Sequence, residues 1–159
     1  MKRSVTDPVC GMAVRPNQHA LTFRAMHFAF CSEQCRERFL RHPGLYVGHP
    51  GWRPVKVQGR AVNKRRRIRL ERALSSQQAA TVRARLEAMM GVRDVLIRGA
   101  EVEIAYDLLQ VTEEQIEAQL GAAGAQLGHG WPERLRRAFV HYEEEMESEN
   151  LGAPPFRHP

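Results

Sequence analysis

The chain has 159 residues, 43% hydrophobic and 26% charged, with a formal net charge of +6. That length allows one domain or two small ones, and no apolar run approaches the length of a bilayer-spanning helix, so membrane insertion is not expected. The start, Met1-Lys2-Arg3-Ser4-Val5-Thr6, has charge but no apolar segment behind it, so a secretory signal is not expected either and a cytoplasmic setting is. The charge is uneven: residues 1–60 carry 10 basic and 3 acidic side chains, while residues 129–159 carry 4 and 6. A basic first segment can offset the negative charge of a cluster of thiolates, or serve solubility with no partner attached.

The three cysteines, Cys10, Cys31 and Cys35, all lie in the first 35 residues. In a reducing compartment an odd number of thiols this closely grouped points to metal ligation rather than disulfides. Ser32 is a helix-capping residue type, which puts Cys31 just before a helix and Cys35 in its first turn. Backbone N–H groups and the helix dipole there favour thiolate over thiol, and Arg36 and Arg38 are expected to push the same way. Pro8 and Gly11 permit a sharp turn that brings Cys10 in from an earlier loop. Three thiolates alone suit trigonal Cu(I), while an added imidazole gives the Cys₃His tetrahedron of Zn(II). On a strand, His27, Ala29 and Cys31 would share one face, which makes His27 a candidate fourth ligand. Met12, two residues from Cys10, is a weaker candidate, since a Met in a small domain usually packs a core. That core is expected from Phe23, Phe28, Phe30, Phe39, Leu40 and Tyr46. His42, His49, His129, His141 and His158 stand isolated and read as surface or core residues.

Three phrases in order carry a resemblance: Asp7-Pro8-Val9-Cys10-Gly11-Met12, then Phe30-Cys31-Ser32-Glu33-Gln34-Cys35, then Phe39-Leu40-Arg41-His42-Pro43-Gly44-Leu45-Tyr46. Together they resemble the YHS domain over roughly residues 5–47, giving a metal-binding domain at 1–48. That family consists of small cysteine-bearing, metal-binding modules often found beside bacterial heavy-metal transport ATPases. The resemblance implies His19 as the fourth ligand ahead of His27, although Ala20 follows it where the family usually has serine or threonine.

Residues 49–62, with His49-Pro50-Gly51-Trp52-Arg53-Pro54, are rich in breakers and read as a linker. Over 63–128 the pattern changes. Arg66, Ile68, Leu70 and Arg72 alternate with Arg67, Arg69 and Glu71 as a strand does. Ser75 or Ser76 can cap a helix whose Ala79, Val82, Leu86 and Met89 or Met90 recur at spacings of three and four. Val92–Ile97 reads as a strand, Arg98-Gly99-Ala100 as a turn, and Val102, Ile104 and Tyr106 as the inward side of its hairpin partner. Thr112-Glu113-Glu114-Gln115 is a capping box opening a second helix, and Ala125-Gln126-Leu127 a short last strand. The order is β-α-β-β-α-β, a ferredoxin-like split βαβ. Gly91 to Val95 and Tyr106 to Ile116 resemble the second half of a heavy-metal-associated domain. The loop Arg72-Ala73-Leu74-Ser75-Ser76-Gln77 lacks that family's Cys-x-x-Cys, so the resemblance implies the fold and not its metal site.

A third, amphipathic helix is expected over 129–149, with Pro132 in its first turn and Leu135, Phe139, Tyr142 and Met146 as an apolar stripe. Its arginines come early and its glutamates late, against the helix dipole. The basic run Lys64, Arg65, Arg66, Arg67, Arg69 and Arg72 is an expected partner for those glutamates. Residues 150–159 read as a disordered tail. The fold class is thus α+β: a small zinc-finger-like YHS module, a βαββαβ domain and a C-terminal helix.

The function expected is non-catalytic binding of a heavy metal, Cu(I) or Zn(II), as a sensor, buffer or chaperone in metal homeostasis. The second domain would dock to a metal-transport ATPase or to a second copy of the chain. The alternative is a zinc-stabilised module that binds nucleic acid or protein. Nucleic acid is disfavoured because no aromatics interleave with the arginines. No Ser/His/Asp set, carboxylate pair or phosphate loop points to an enzyme.

Overall fold

The computed structural model describes residues 3–155. Two units divide it: Val62–Glu145, and a first unit made of the chain up to Ala61 together with the segment from Met146 onward.

Regular structure in the first unit is sparse. β1 (Val5–Thr6) pairs with β2 (Ala13–Val14), and β3 (Leu21–Phe23) with β4 (Met26–Phe28), both antiparallel. The β3–β4 turn is Arg24-Ala25, both at positive φ (48° and 61°). A two-residue hairpin needs that twist, and without glycine it costs about 1–2 kcal/mol per residue. α1 (Glu33–Arg41) follows, capped by the Ser32 side chain accepting from the Cys35 N–H, and a 3₁₀ turn at Pro43–Leu45 ends the run. The core is aromatic. The fully buried Phe39 ring has Phe28 at 4.8 Å, Phe30 at 5.3 Å, Tyr46 at 5.7 Å and Phe23 at 5.8 Å between centroids. Leu40, expected among them, is instead 46% exposed, because the next helical position is turned about 100° away from Phe39. Gly44 meets Gly152 backbone to backbone, where a Cβ would lie 2.5 Å from the Gly152 carbonyl oxygen.

The second unit has longer elements. β5 (Asn63–Arg69), β6 (Val92–Arg98) and β7 (Glu101–Asp107) form an antiparallel sheet in the order β5-β7-β6. α2 (Ser76–Glu87) starts at a complete capping box of Ser75 and Gln78, and α3 (Glu113–Ala122) at one of Thr112 and Gln115. Ile68, Leu86, Val102, Ile104, Tyr106, Ile116 and Leu120 are fully buried together. The last strand expected at 125–127 is reduced to a single bridge between Leu127 and Leu70.

α4 (Trp131–Gly152) is longer than expected. Its helical run continues through residues 150–152, where a disordered tail was expected. Residues 153–155 carry no regular structure, and Phe156 to Pro159 lie outside the described residues. The expected charge pairing is also redistributed. Arg65 and Arg67, on the face of β5 away from the core, are held by β7: Arg65 to Glu103 at 2.7 Å and Arg67 to Glu101 at 3.2 Å. Side chains on the same face of paired strands lie within direct reach of one another. Arg66, on the core side, reaches Glu143 at 3.6 Å and Glu113 at 3.8 Å.

Glu144 turns inward, where one carboxylate oxygen accepts from the Tyr106 hydroxyl and the other from the Glu113 N–H at 2.9 Å. A carboxylate of α4 thus satisfies a free N–H at the start of α3, a favourable place for negative charge. Glu113 itself is fully buried, and burial pushes its carboxyl up to about 7 despite Arg136 nearby. One turn on, Glu117 holds His141 at 3.1 Å, which raises that imidazole.

Candidate metal centre

The site is built from two local structures. The first is a tight loop at Asp7–Met12, where the Asp7 N–H donates to the Met12 carbonyl and the Gly11 N–H to the Asp7 carbonyl, both at 2.9 Å. Gly11 stands at φ +83° with nothing within 4 Å of where a Cβ would be, so backbone conformation and not space calls for glycine there. The second is the start of α1, where Cys31 precedes the Ser32 cap and Cys35 sits in the first turn.

These two pieces bring all three sulfurs together. Cys31 Sγ is 3.5 Å from both Cys10 Sγ and Cys35 Sγ. A disulfide needs about 2.05 Å, so these are separate thiols. Metal–sulfur bonds of about 2.3 Å directed tetrahedrally set sulfurs about 3.8 Å apart. The observed spacing is close to that edge, and the donors fit a thiophilic ion. Cys35 is buried, while Cys10 and Cys31 are partly exposed, which leaves the cluster open on one side.

One further ligand-type group joins them. The Asp7 carboxylate lies with the three sulfurs, all four donor atoms within 4.8 Å of one another. It is fully buried, and its oxygens accept backbone N–H bonds from Val9 (2.8 Å), Cys10 (3.3 Å) and Cys31 (2.7 Å). Asp7 therefore ties the Cys10 loop to the Cys31 segment. Asp7 is not among the ligands expected from the sequence. An aspartate three residues before a cysteine, followed by proline, does carry the signal of a side chain that bonds its own loop.

Protons on the cluster are distributed unequally. Hydrogen bonding from Cys35 lowers Cys10 to about 7, against the effect of burial. Burial pushes Cys31 up to about 11, and Cys35 is raised chiefly by its hydrogen bond to Cys10. The set gives up one proton near neutrality and holds the others, as closely packed acids do. A bound cation would replace those protons.

Neither His19 nor His27, the expected fourth ligands, is among the clustered donors. His19 is on a turn at φ 42°, and its Nδ1 faces Glu33 Oε2 at 3.3 Å. His27 sits on β4 with its Nε2 2.9 Å from the Pro16 carbonyl. β4 ends at Phe28, so the alternation that put His27 and Cys31 on one face does not continue to Cys31. Met12 is largely exposed. Of the two arginines expected to act on the sulfurs, Arg36 pairs with Glu33 at 2.8 Å, and the buried Arg38 donates to Ser148 Oγ at 2.9 Å.

Comparison with known families agrees with this geometry. The family model for the YHS domain matches residues 5–50, a stretch that contains Asp7 and all three cysteines. Residues 5–50 are thus a YHS domain, and the match does not reach the second unit. No curated protein and no solved structure matches the chain.

Proposed function

We propose that this protein is a non-catalytic heavy-metal-binding protein that holds one ion on Cys10, Cys31 and Cys35, acting as a sensor, buffer or chaperone in metal homeostasis. The observation that carries this reading is the convergence of three sulfurs, with Cys31 Sγ 3.5 Å from each of the other two, within the stretch that the YHS family model matches. With no imidazole in the cluster among the described residues, three thiolates can serve Cu(I) alone, whereas the Cys₃His arrangement of Zn(II) lacks its fourth ligand. An Asp7 oxygen is the nearest further donor for Zn(II). Asp7 acts first as the tie that sets the sulfur spacing. The second unit is read as a ferredoxin-like docking domain, supported by its antiparallel order β5-β7-β6 and the single bridge at Leu127. A metal-transport ATPase is the partner proposed for it. Among the described residues no helix is long and apolar enough to cross a membrane.

The basic strand gives little support to nucleic-acid binding, because Arg65, Arg66 and Arg67 are ion-paired within the unit.

Competition against Cu(I) and Zn(II) chelators of known affinity tests the proposal. One ion per chain is expected, with Cu(I) displacing Zn(II). Each cysteine-to-serine change should weaken binding by orders of magnitude, and His19→Ala should leave it nearly unchanged. A large loss in His19→Ala, or unchanged binding in Cys10→Ser, would overturn the assignment.

A further inference from the structure

Ten large hydrophobic side chains are exposed among the described residues, and five of them lie on α4: Trp131, Leu135, Phe139, Tyr142 and Met146, from 38% to 74% exposed. Scattered single apolar residues are ordinary on a surface, whereas an aligned group marks an interaction site. Val140, Glu144 and Ser148, on the other side of the same helix, are buried. The helix therefore uses one face for the fold and presents a second apolar face.

The spacing of that second face is specific. From Leu135 it runs four, three, four to Met146, the rhythm of a helix–helix seam. It also reads the same in both directions. Turning the helix end for end about the midpoint between Phe139 and Tyr142 places Leu135 on Met146 and Phe139 on Tyr142. A two-fold axis through that point does the same between two copies, the self-complementary contact of a symmetric dimer.

Charge sets the direction. From Trp131 to His141 the helix carries Arg134, Arg136 and Arg137 against Glu133; from Tyr142 to Gly152 it carries Glu143, Glu144, Glu145, Glu147 and Glu149 and no base. Arg134 and Glu149 make no ion pair among the described residues. An antiparallel pair sets the arginine half of each helix beside the glutamate half of the other, and a parallel pair stacks glutamate on glutamate.

We propose that this face of α4 is a self-association surface whose occupant is α4 of a second copy of the chain, antiparallel, with Leu135 against Met146 and Phe139 against Tyr142. Three aromatic side chains bury about 150–250 Å² each when fully covered, so these partly exposed ones contribute on the order of 400 Å² before Leu135 and Met146 are added. A standard interface takes about 800 Å² per partner. The association is accordingly reversible and concentration-dependent.

Sedimentation of the full-length, metal-loaded protein over a wide concentration range is the test. The mass is expected to rise toward twice that of one chain, and the double change Phe139→Glu/Tyr142→Glu to weaken association by about tenfold or more with an unchanged near-ultraviolet circular dichroism spectrum. Leu135→Lys and Met146→Glu should each weaken it, and the two combined in one chain should restore it, since antiparallel pairing sets lysine against glutamate. A single-chain mass at every concentration overturns the proposal. So does undiminished association of Phe139→Glu/Tyr142→Glu, or a combined Leu135→Lys/Met146→Glu weaker than either alone. Should Phe139→Glu/Tyr142→Glu lose its native spectrum, the lysine–glutamate comparison carries the test. The surface is independent of the metal: Cys10→Ser should associate as the parent does, and a dimer abolished by Cys10→Ser alone would place the contact at the sulfurs instead.

Discussion

The second unit buries thirteen apolar side chains between a three-stranded sheet and its helices, whereas the longest strand of the first unit has three residues. Both begin their helices with well-made caps, so local signals are equally good in the two. What differs is the means of closure. Apolar burial holds the second unit at about 25 cal/mol per Å². The first leans on one ring cluster around Phe39 and on a polar centre in which Asp7 and three thiols meet. A domain of this size has little surface to bury, and an ion at the sulfurs would contribute folding free energy directly.

Metal removal should separate the two most sharply. Chelation of the bound ion, or Cys35→Ser, is expected to cost the first unit up to about 10 kcal/mol, enough to unfold it. Amide exchange should then show lost protection around α1 and retained protection in β5, β6 and β7. Equal loss in both units would break the comparison. In the opposite sense, Ile104→Ala should cost about 2–5 kcal/mol through the cavity it leaves. Thermal unfolding should show this in the second unit, with metal affinity unchanged.

A pH series sharpens the contrast because the units respond oppositely. Glu113 has its carboxyl raised to about 7 in the fold, above the ordinary value of 4.5. The unfolded chain therefore loses that proton first, and stability falls as pH rises from about 4.5 to 7, then levels off. Its size is on the order of 3 kcal/mol. His141, raised by Glu117, acts in the same direction: its contribution is present below 6.5 and is lost as pH rises through its folded value. Acid instead protonates thiolates and releases metal from the first unit. Between pH 7.5 and 5 the second unit should gain stability and the first lose it. Glu113→Gln should flatten the profile of the second unit.

The smallest of these effects tests Asp7. Asp7→Asn keeps one acceptor and turns an NH₂ toward backbone N–H donors, costing about 2 kcal/mol and about 10–100-fold in metal affinity. Titration with Zn(II) under chelator competition reads the affinity. No change in affinity would mean that Asp7 has no part in setting the sulfurs.

The features legible in the sequence are those that depend on near neighbours. The caps at Ser32, Ser75 and Thr112, the alternation through Val102, Ile104 and Tyr106, and the helical spacing of Val82 and Leu86 are all set within a few residues. The three cysteines were legible as one site because soft donors so closely grouped have few other uses. The β6–β7 hairpin was legible from its turn, whereas the register between β5 and β7, distant in sequence, was not. Arg65 and Arg67 find Glu103 and Glu101 through a register that exists only once β5 and β7 are aligned. His27 was misplaced because alternation was extended beyond the end of β4. Asp7 went unseen because two of its bonds are local, whereas its bond to Cys31 joins segments 24 residues apart. α4 ran past its expected end because the close approach of Gly44 and Gly152 is a long-range contact.

The most direct test of the account is native mass spectrometry of the reduced, full-length protein with and without added Zn(II) or Cu(I), read alongside the number of thiols open to alkylation. One bound ion per chain is predicted, with Cys10, Cys31 and Cys35 all protected while it is bound and all reactive after chelation. No bound ion, with all three thiols reacting whether or not metal is present, would contradict it.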